Sequence, residues 1–292
     1  MSREKEAKVK ILTAMSVFGT IGLFVRGIPL PSSVIALVRG VVGVAFLLVM
    51  LRLRKGSLDR KAIGRNLPRL TASGFCLGFN WILLFEAYRY TTVSTATLCY
   101  YMAPIFIILV SPLLLKERLT LRKLCCVGMA LVGMVCISGM VRTGLPSLEE
   151  GRGILLGLAA AVLYAFIVLL NKGIREVPAF DRTVVQLGVS AVLLLPYCLL
   201  TVPMETLHTD LTGAILLLVV GVVHTGMAYY LYFGAIAHVP AQTAAIVSYV
   251  DPVVAVLVSV LVLREAMGVV DLLGAVLILG AAFISELPGK EN

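Results

Sequence analysis

Four ionisable side chains stand inside long apolar runs: Arg39, Glu86, His224 and Asp251. A charge held in hydrocarbon costs at least about 2.5–3.5 kcal/mol, so each is a candidate for substrate binding or ion coupling. Asp251 directly precedes Pro252, which has no N–H and leaves a carbonyl one turn earlier without its donor. A carboxylate beside a free carbonyl suits a cation, an amine or a proton. The alternative is a packing acid, hydrogen-bonded to a neighbouring helix or paired with Arg39. Arg39 can bind a carboxylate, or serve as the structural partner of Asp251 or Glu86. Glu86 can take a proton or a substrate, or pair with Arg89 three residues on. His224 can titrate near neutral pH, or pack as a hydrogen-bonded side chain.

Aromatic and amide side chains gather in the same runs. Tyr101 and Tyr249 each stand three residues before a proline, Pro104 and Pro252. Matched tyrosines can line a central space and hold an organic cation or an apolar side chain on their faces. Both prolines are expected to bend their helices. Asn80 and Gln186 are further polar groups that can face such a space.

The elements that carry these residues follow from hydropathy. Of 292 residues, 60% are hydrophobic and 14% charged, against about 25% charged in a soluble chain. Mean hydropathy is +1.01. Ten apolar runs are expected to span, at roughly 9–28, 32–54, 67–89, 92–115, 121–141, 152–172, 182–202, 211–236, 240–263 and 268–286. Each is near the ~20 residues that a helix needs to cross ~30 Å of hydrocarbon. The runs lack the alternation of a membrane barrel. Gly74xxxGly78 and Gly153xxxGly157 permit close helix approach. The six cysteines all fall inside runs and read as packing residues.

A repeat organises the runs. Phe85–Glu117 aligns without a gap on Phe233–Glu265 at an offset of 148 residues, sharing Tyr101/Tyr249, Pro104/Pro252, Ser111/Ser259 and Glu117/Glu265 among others. The two glutamates read as caps for the helix that follows each. Two halves are expected, residues 1–141 and 152–286, joined by the polar segment 141–151. Five spans per half would send the second half through the membrane in the opposite sense to the first, the inverted repeat of many carriers. Charge orients them. With the N-terminus and the 52–69 loop inside, 19 of the 25 Lys and Arg lie on the cytoplasmic side, five lie outside, and Arg39 is left within a span. Both termini are therefore expected in the cytoplasm, with the basic loops facing anionic lipid.

Several functions are disfavoured. No phosphate-binding loop, zinc-protease motif or nucleophile elbow is present. Neither an enzyme nor a cofactor is expected. No basic domain interleaved with aromatics points to nucleic acid. No filter-like loop points to an ion channel.

These residues also resemble a known family. Ser248, Tyr249, Val250, Asp251 and Pro252 with the apolar run to Glu265, then Gly274 to Ser285, are similar to the EamA group of the drug/metabolite transporter superfamily. In the first half Tyr101 to Pro104, Lys116 to Thr120 and the stretch from Gly128 carry the likeness. It covers nearly the whole chain. It implies an all-α integral membrane fold of ten transmembrane helices in two inverted five-helix repeats. It also implies secondary transport of a small metabolite (an amino acid, an amine or a related compound), often as efflux, through alternating access. The expected partners are that solute, a coupling proton or an exchanged solute, and membrane lipids. A lipid flippase or scramblase is the alternative.

Overall fold

In the computed structural model, the described residues are 3–103, 105–106, 109–110, 121–137, 146–174, 176–236 and 250–286. All regular structure among them is helical. In chain order the helices are α1 (Arg3–Gly19), α2 (Ile21–Arg26), α3 (Ser32–Leu53), α4 (Arg60–Arg65), α5 (Leu67–Tyr90), α6 (Val93–Tyr100) and α7 (Leu121–Ile137). There follow α8 (Leu148–Lys172), α9 (Ala179–Thr201), α10 (Leu211–Val219), a π-helical segment (Val220–Met227), α11 (Ala228–Ile236), α12 (Val250–Leu261) and α13 (Val269–Glu286). Every one of the ten expected runs holds helix. Among the described residues, six helical stretches are long and apolar enough to span a membrane: Lys5–Arg26, Ser32–Leu53, Leu67–Tyr90, Leu148–Asn171, Ala179–Thr201 and Leu211–Tyr232.

Local chemistry sets the helix starts. Pro31 and Pro178 precede α3 and α9 with nearly identical backbones, φ −55° ψ 142° and φ −54° ψ 145°. Ser147 and Glu150 form a reciprocal capping box at α8. Thr92, Asp59 and Asp210 each accept the N–H three residues on, at α6, α4 and α10. The helix of the fourth run breaks at Tyr101 and Met102. A proline at 104 has no N–H to offer the Tyr100 carbonyl, so the break falls where the sequence weakens the helix. Pro104 itself lies outside the described residues.

The packing of helices is symmetric under exchange of the two halves. α5 packs on α8, as α11 packs on α1. α5 also packs on α9, as the π segment packs on α3. α6 packs on α8 and α12 packs on α1, so the fourth and ninth runs each meet the first helix of the other half. Two pairs are their own counterparts, α3 with α9 and α7 with α13, and α6 packs on α12. The bulk of the interface is therefore between halves. Glycines let helices meet there. A Cβ on Gly74 would lie 2.8 Å from the Gln186 carbonyl oxygen, and one on Gly153 2.8 Å from the Thr91 Cβ.

Polarity is arranged for lipid outside and hydrogen bonding inside. Leu121, Leu124, Leu131, Leu199, Leu272 and Val276 are exposed, while Arg39, Asn80, Gln186, His224, Thr225 and Ser259 are buried. In water such an apolar exterior would be an aggregation hazard; in a bilayer it is the solvated face.

Candidate functional site

Arg39 lies seven residues into α3, about 10 Å along the helix from its start. It is 3% exposed. Its Nε donates to Thr225 Oγ1 at 3.0 Å. The Thr225 hydroxyl in turn donates to the Val220 carbonyl at 3.0 Å, five residues back. That side-chain bond lies within the π segment, a helix form concentrated at functional sites. No simple signal in the sequence marked it. The guanidinium carbon stands 4.0 Å above the Trp81 ring and 5.3 Å from the Phe85 ring, both on α5. One charged group thus touches α3, α5 and the π segment, which come from both halves.

The expected pairing of Arg39 with Asp251 or Glu86 does not form among the described residues. Asp251, in the first turn of α12, accepts instead from the Tyr101 hydroxyl at 2.5 Å. That bond joins the break after α6 to the start of α12, so it too crosses between halves. Tyr100 and Tyr164 extend the aromatic group, with ring centroids 5.4 Å apart, and Tyr101 lies edge-on to Tyr100 at 6.0 Å. Pro252 is buried beside Asp251. Tyr249, and the turn that Pro252 would bend, lie outside the described residues.

His224 sits next to Thr225 on the π segment and is buried. Its Nε2 is 3.0 Å from Thr20 Oγ1. The Thr20 hydroxyl already donates to the Val17 carbonyl at 2.8 Å. The imidazole tautomer sets which of the two groups donates. The Phe24 ring lies against the same imidazole, tilted by 59° with centroids 4.7 Å apart. Thr20 is the turn between α1 and α2, so His224 ties the π segment to that point of the first span.

Asn80 donates to the Ala160 carbonyl at 2.6 Å, tying α5 to α8. Gln186 donates to Ser73 Oγ at 2.9 Å and to Asn171 Oδ1 at 2.8 Å, tying α9 to α5 and α8. Glu86 stands apart from the Arg39 group. It accepts from Ser32 at 2.6 Å and faces Arg89 at 3.8 Å, while Arg89 donates to the Leu30 carbonyl at 2.7 Å. The structure thus forms the i,i+3 pair and adds a link to the start of α3.

Glu265 differs from the sequence expectation. It does not cap the helix after it; Asp271 does, accepting from the Gly268 N–H at 2.7 Å. Arg264, at φ 54°, turns the chain back. The Glu265 carboxylate then accepts the N–H groups of Val93 and Ser94 at 3.1 and 3.4 Å, the Ser259 hydroxyl and Arg26. It caps α6 across the interface between halves. A cap partner 172 positions away has no local signal.

Among the described residues no group of three or more His, Cys, Asp or Glu is placed to hold a metal. The arrangement instead provides buried charge and aromatic faces at the junction of two symmetric halves.

Comparison with known proteins agrees with that architecture. The pattern of the EamA-like transporter family matches residues 8–139 and again 151–286. An uncharacterized transporter, YxxF, of Bacillus subtilis (strain 168) is 29% identical over 302 residues, covering 100% of this chain and 94% of the relative. An uncharacterized transporter of Archaeoglobus fulgidus is 26% identical, covering 94% of each. A protein of known crystal structure shares the fold at TM-score 0.67 and 20% identity, over 97% of this chain and 98% of that one. The Bacillus and Archaeoglobus relatives are named as transporters, not as enzymes. The chain belongs to the EamA-like transporter family, within the drug/metabolite transporter superfamily, and is a multi-pass membrane transporter.

Proposed function

We propose that the protein is a secondary active transporter that exports a small metabolite, an amino acid, an amine or a related compound, across the cytoplasmic membrane by alternating access. Its halves, residues 1–141 and 152–286, would rock against each other about a central site, with both termini in the cytoplasm. The observation that carries this reading is the exchange of helix partners between halves. Where contacts of one half have counterparts in the other, two conformations of similar energy can face opposite sides of the membrane. The groups that cross the interface, Arg39 with Thr225 and Tyr101 with Asp251, are the candidates for sensing substrate and a coupling proton or exchanged solute.

The test is purified protein in liposomes loaded with a mixed panel of amino acids, amines and nucleosides under a pH gradient. The expected result is saturable movement of one solute class with counterflow. Flux that rises linearly without saturation would make the protein a channel. Movement of labelled lipid with no solute flux would make it a flippase or scramblase.

A further inference from the structure

Among the described residues, Arg39 is a buried cation with an incomplete set of partners. Its two ring contacts, Trp81 and Phe85, engage the π-rich surroundings of the guanidinium, and Thr225 takes the Nε edge. No described residue bonds either Nη nitrogen, and no described acid pairs with the charge. The acids nearest in role are engaged elsewhere: Asp251 by Tyr101, Glu86 by Ser32 and Arg89, and Glu265 by Arg26 and α6. A desolvated guanidinium without a counter-ion is unfavourable unless an anion joins it. Its Nη pair is a rigid fork that matches a carboxylate with two parallel hydrogen bonds.

We propose that the Nη edge of Arg39 is the docking point for the carboxylate of the transported solute, so that the substrates are small organic carboxylates and simple amines are not. This deepens the transport reading and rests on it. The site also suggests how cargo is felt. Arg39 is tethered to the second half through Thr225 and stacked on the first half through Trp81. An anion on the fork would draw charge away from both contacts at the interface between halves.

Trp81 makes the site directly observable, because it is the protein's single tryptophan. Its fluorescence in detergent-purified protein is titrated with matched sets built on methyl, isobutyl and benzyl side chains. Each set holds the amino acid, its amide, the amine lacking the carboxyl and the carboxylate lacking the amine. Liposome flux of the same compounds is measured alongside. The expected result is that carboxylate-bearing members perturb Trp81 and compete for flux. Their amides and the simple amines should bind about 10- to 100-fold more weakly, the loss of hydrogen bonds to a charged group. Arg39→Gln should abolish the discrimination and Arg39→Lys restore part of it. The comparison among solutes on the wild-type protein stands even if a variant fails to fold. Amines or amides that bind and move as well as carboxylates would overturn the carboxylate assignment and leave transport intact. Binding to Arg39 with no flux would uphold the assignment and overturn the transport reading. No binding and no flux across all three sets would overturn both.

Discussion

Glu265 and Val93 are joined by a 3.1 Å hydrogen bond in which the first N–H of α6 donates to the Glu265 carboxylate. One acid of the second half thus caps a helix of the first half and also holds Arg26, at the end of α2. The three elements meet at the end of the molecule that the charge pattern places outside. Glu265→Gln puts an amide donor against the N–H groups of Val93 and Ser94. The expected loss is about 1–3 kcal/mol of stability, from hydrogen bonds to a charged acceptor. The Arg26 contact adds little, since Arg26 is 39% exposed. A cysteine placed at buried Ser94 should be protected from a membrane-impermeant maleimide in the parent protein and become reactive with Glu265→Gln. Unchanged labelling would show that this network does not hold that end closed.

Tyr101 and Asp251 should act as one unit. Tyr101→Phe removes the donor to the carboxylate, and Asp251→Asn changes the acceptor. In a double-mutant cycle read by thermal stability and by flux, the coupling should be about 0.5–3 kcal/mol. Effects that simply add would show that the bond contributes nothing to either state.

Two glycines should respond oppositely to the same change. A Cβ on Gly19 would stand 2.5 Å from the Asp251 carbonyl oxygen and 2.7 Å from the Val254 Cβ. Backbone cannot step aside, so Gly19→Ala should cost about 1–3 kcal/mol and reduce flux by displacing Asp251. A Cβ on Gly188, inside α9, would meet nothing within 4 Å. Gly188→Ala should be neutral or stabilise by about 0.5–1 kcal/mol. Thermal unfolding in detergent compares them, and equal responses would contradict the packing of α1 on α12.

The charge pattern predicts orientation. In a background with its six cysteines replaced, a cysteine at Ser57 should react with an impermeant reagent only from the cytoplasmic side, and one at Glu205 only from outside. The reverse pattern would invert the proposed topology, and with it the side to which Glu265 is assigned.

Much of the architecture was legible in the chain. Hydropathy marked ten runs, and helix fills part of each. The Glu86 and Arg89 pair followed from i,i+3 spacing, and the close approaches at Gly74 and Gly153 from the absence of a Cβ. Helix formation and i,i+3 pairing are short-range, so composition and spacing suffice to read them.

The partners of the buried polar groups were another matter. The sequence alone set which residues carry charge inside the membrane, Arg39 and Asp251 among them. Only the tertiary structure decided that Arg39 meets Thr225 and Trp81 while Asp251 meets Tyr101, and that Glu265 caps α6. It likewise decided that the helix around His224 widens to a π turn. Such choices depend on how two halves settle against each other. A hydrogen bond acts over about 3 Å, and which groups come that close across 150 or more residues of chain is decided by packing, to which no local spacing refers.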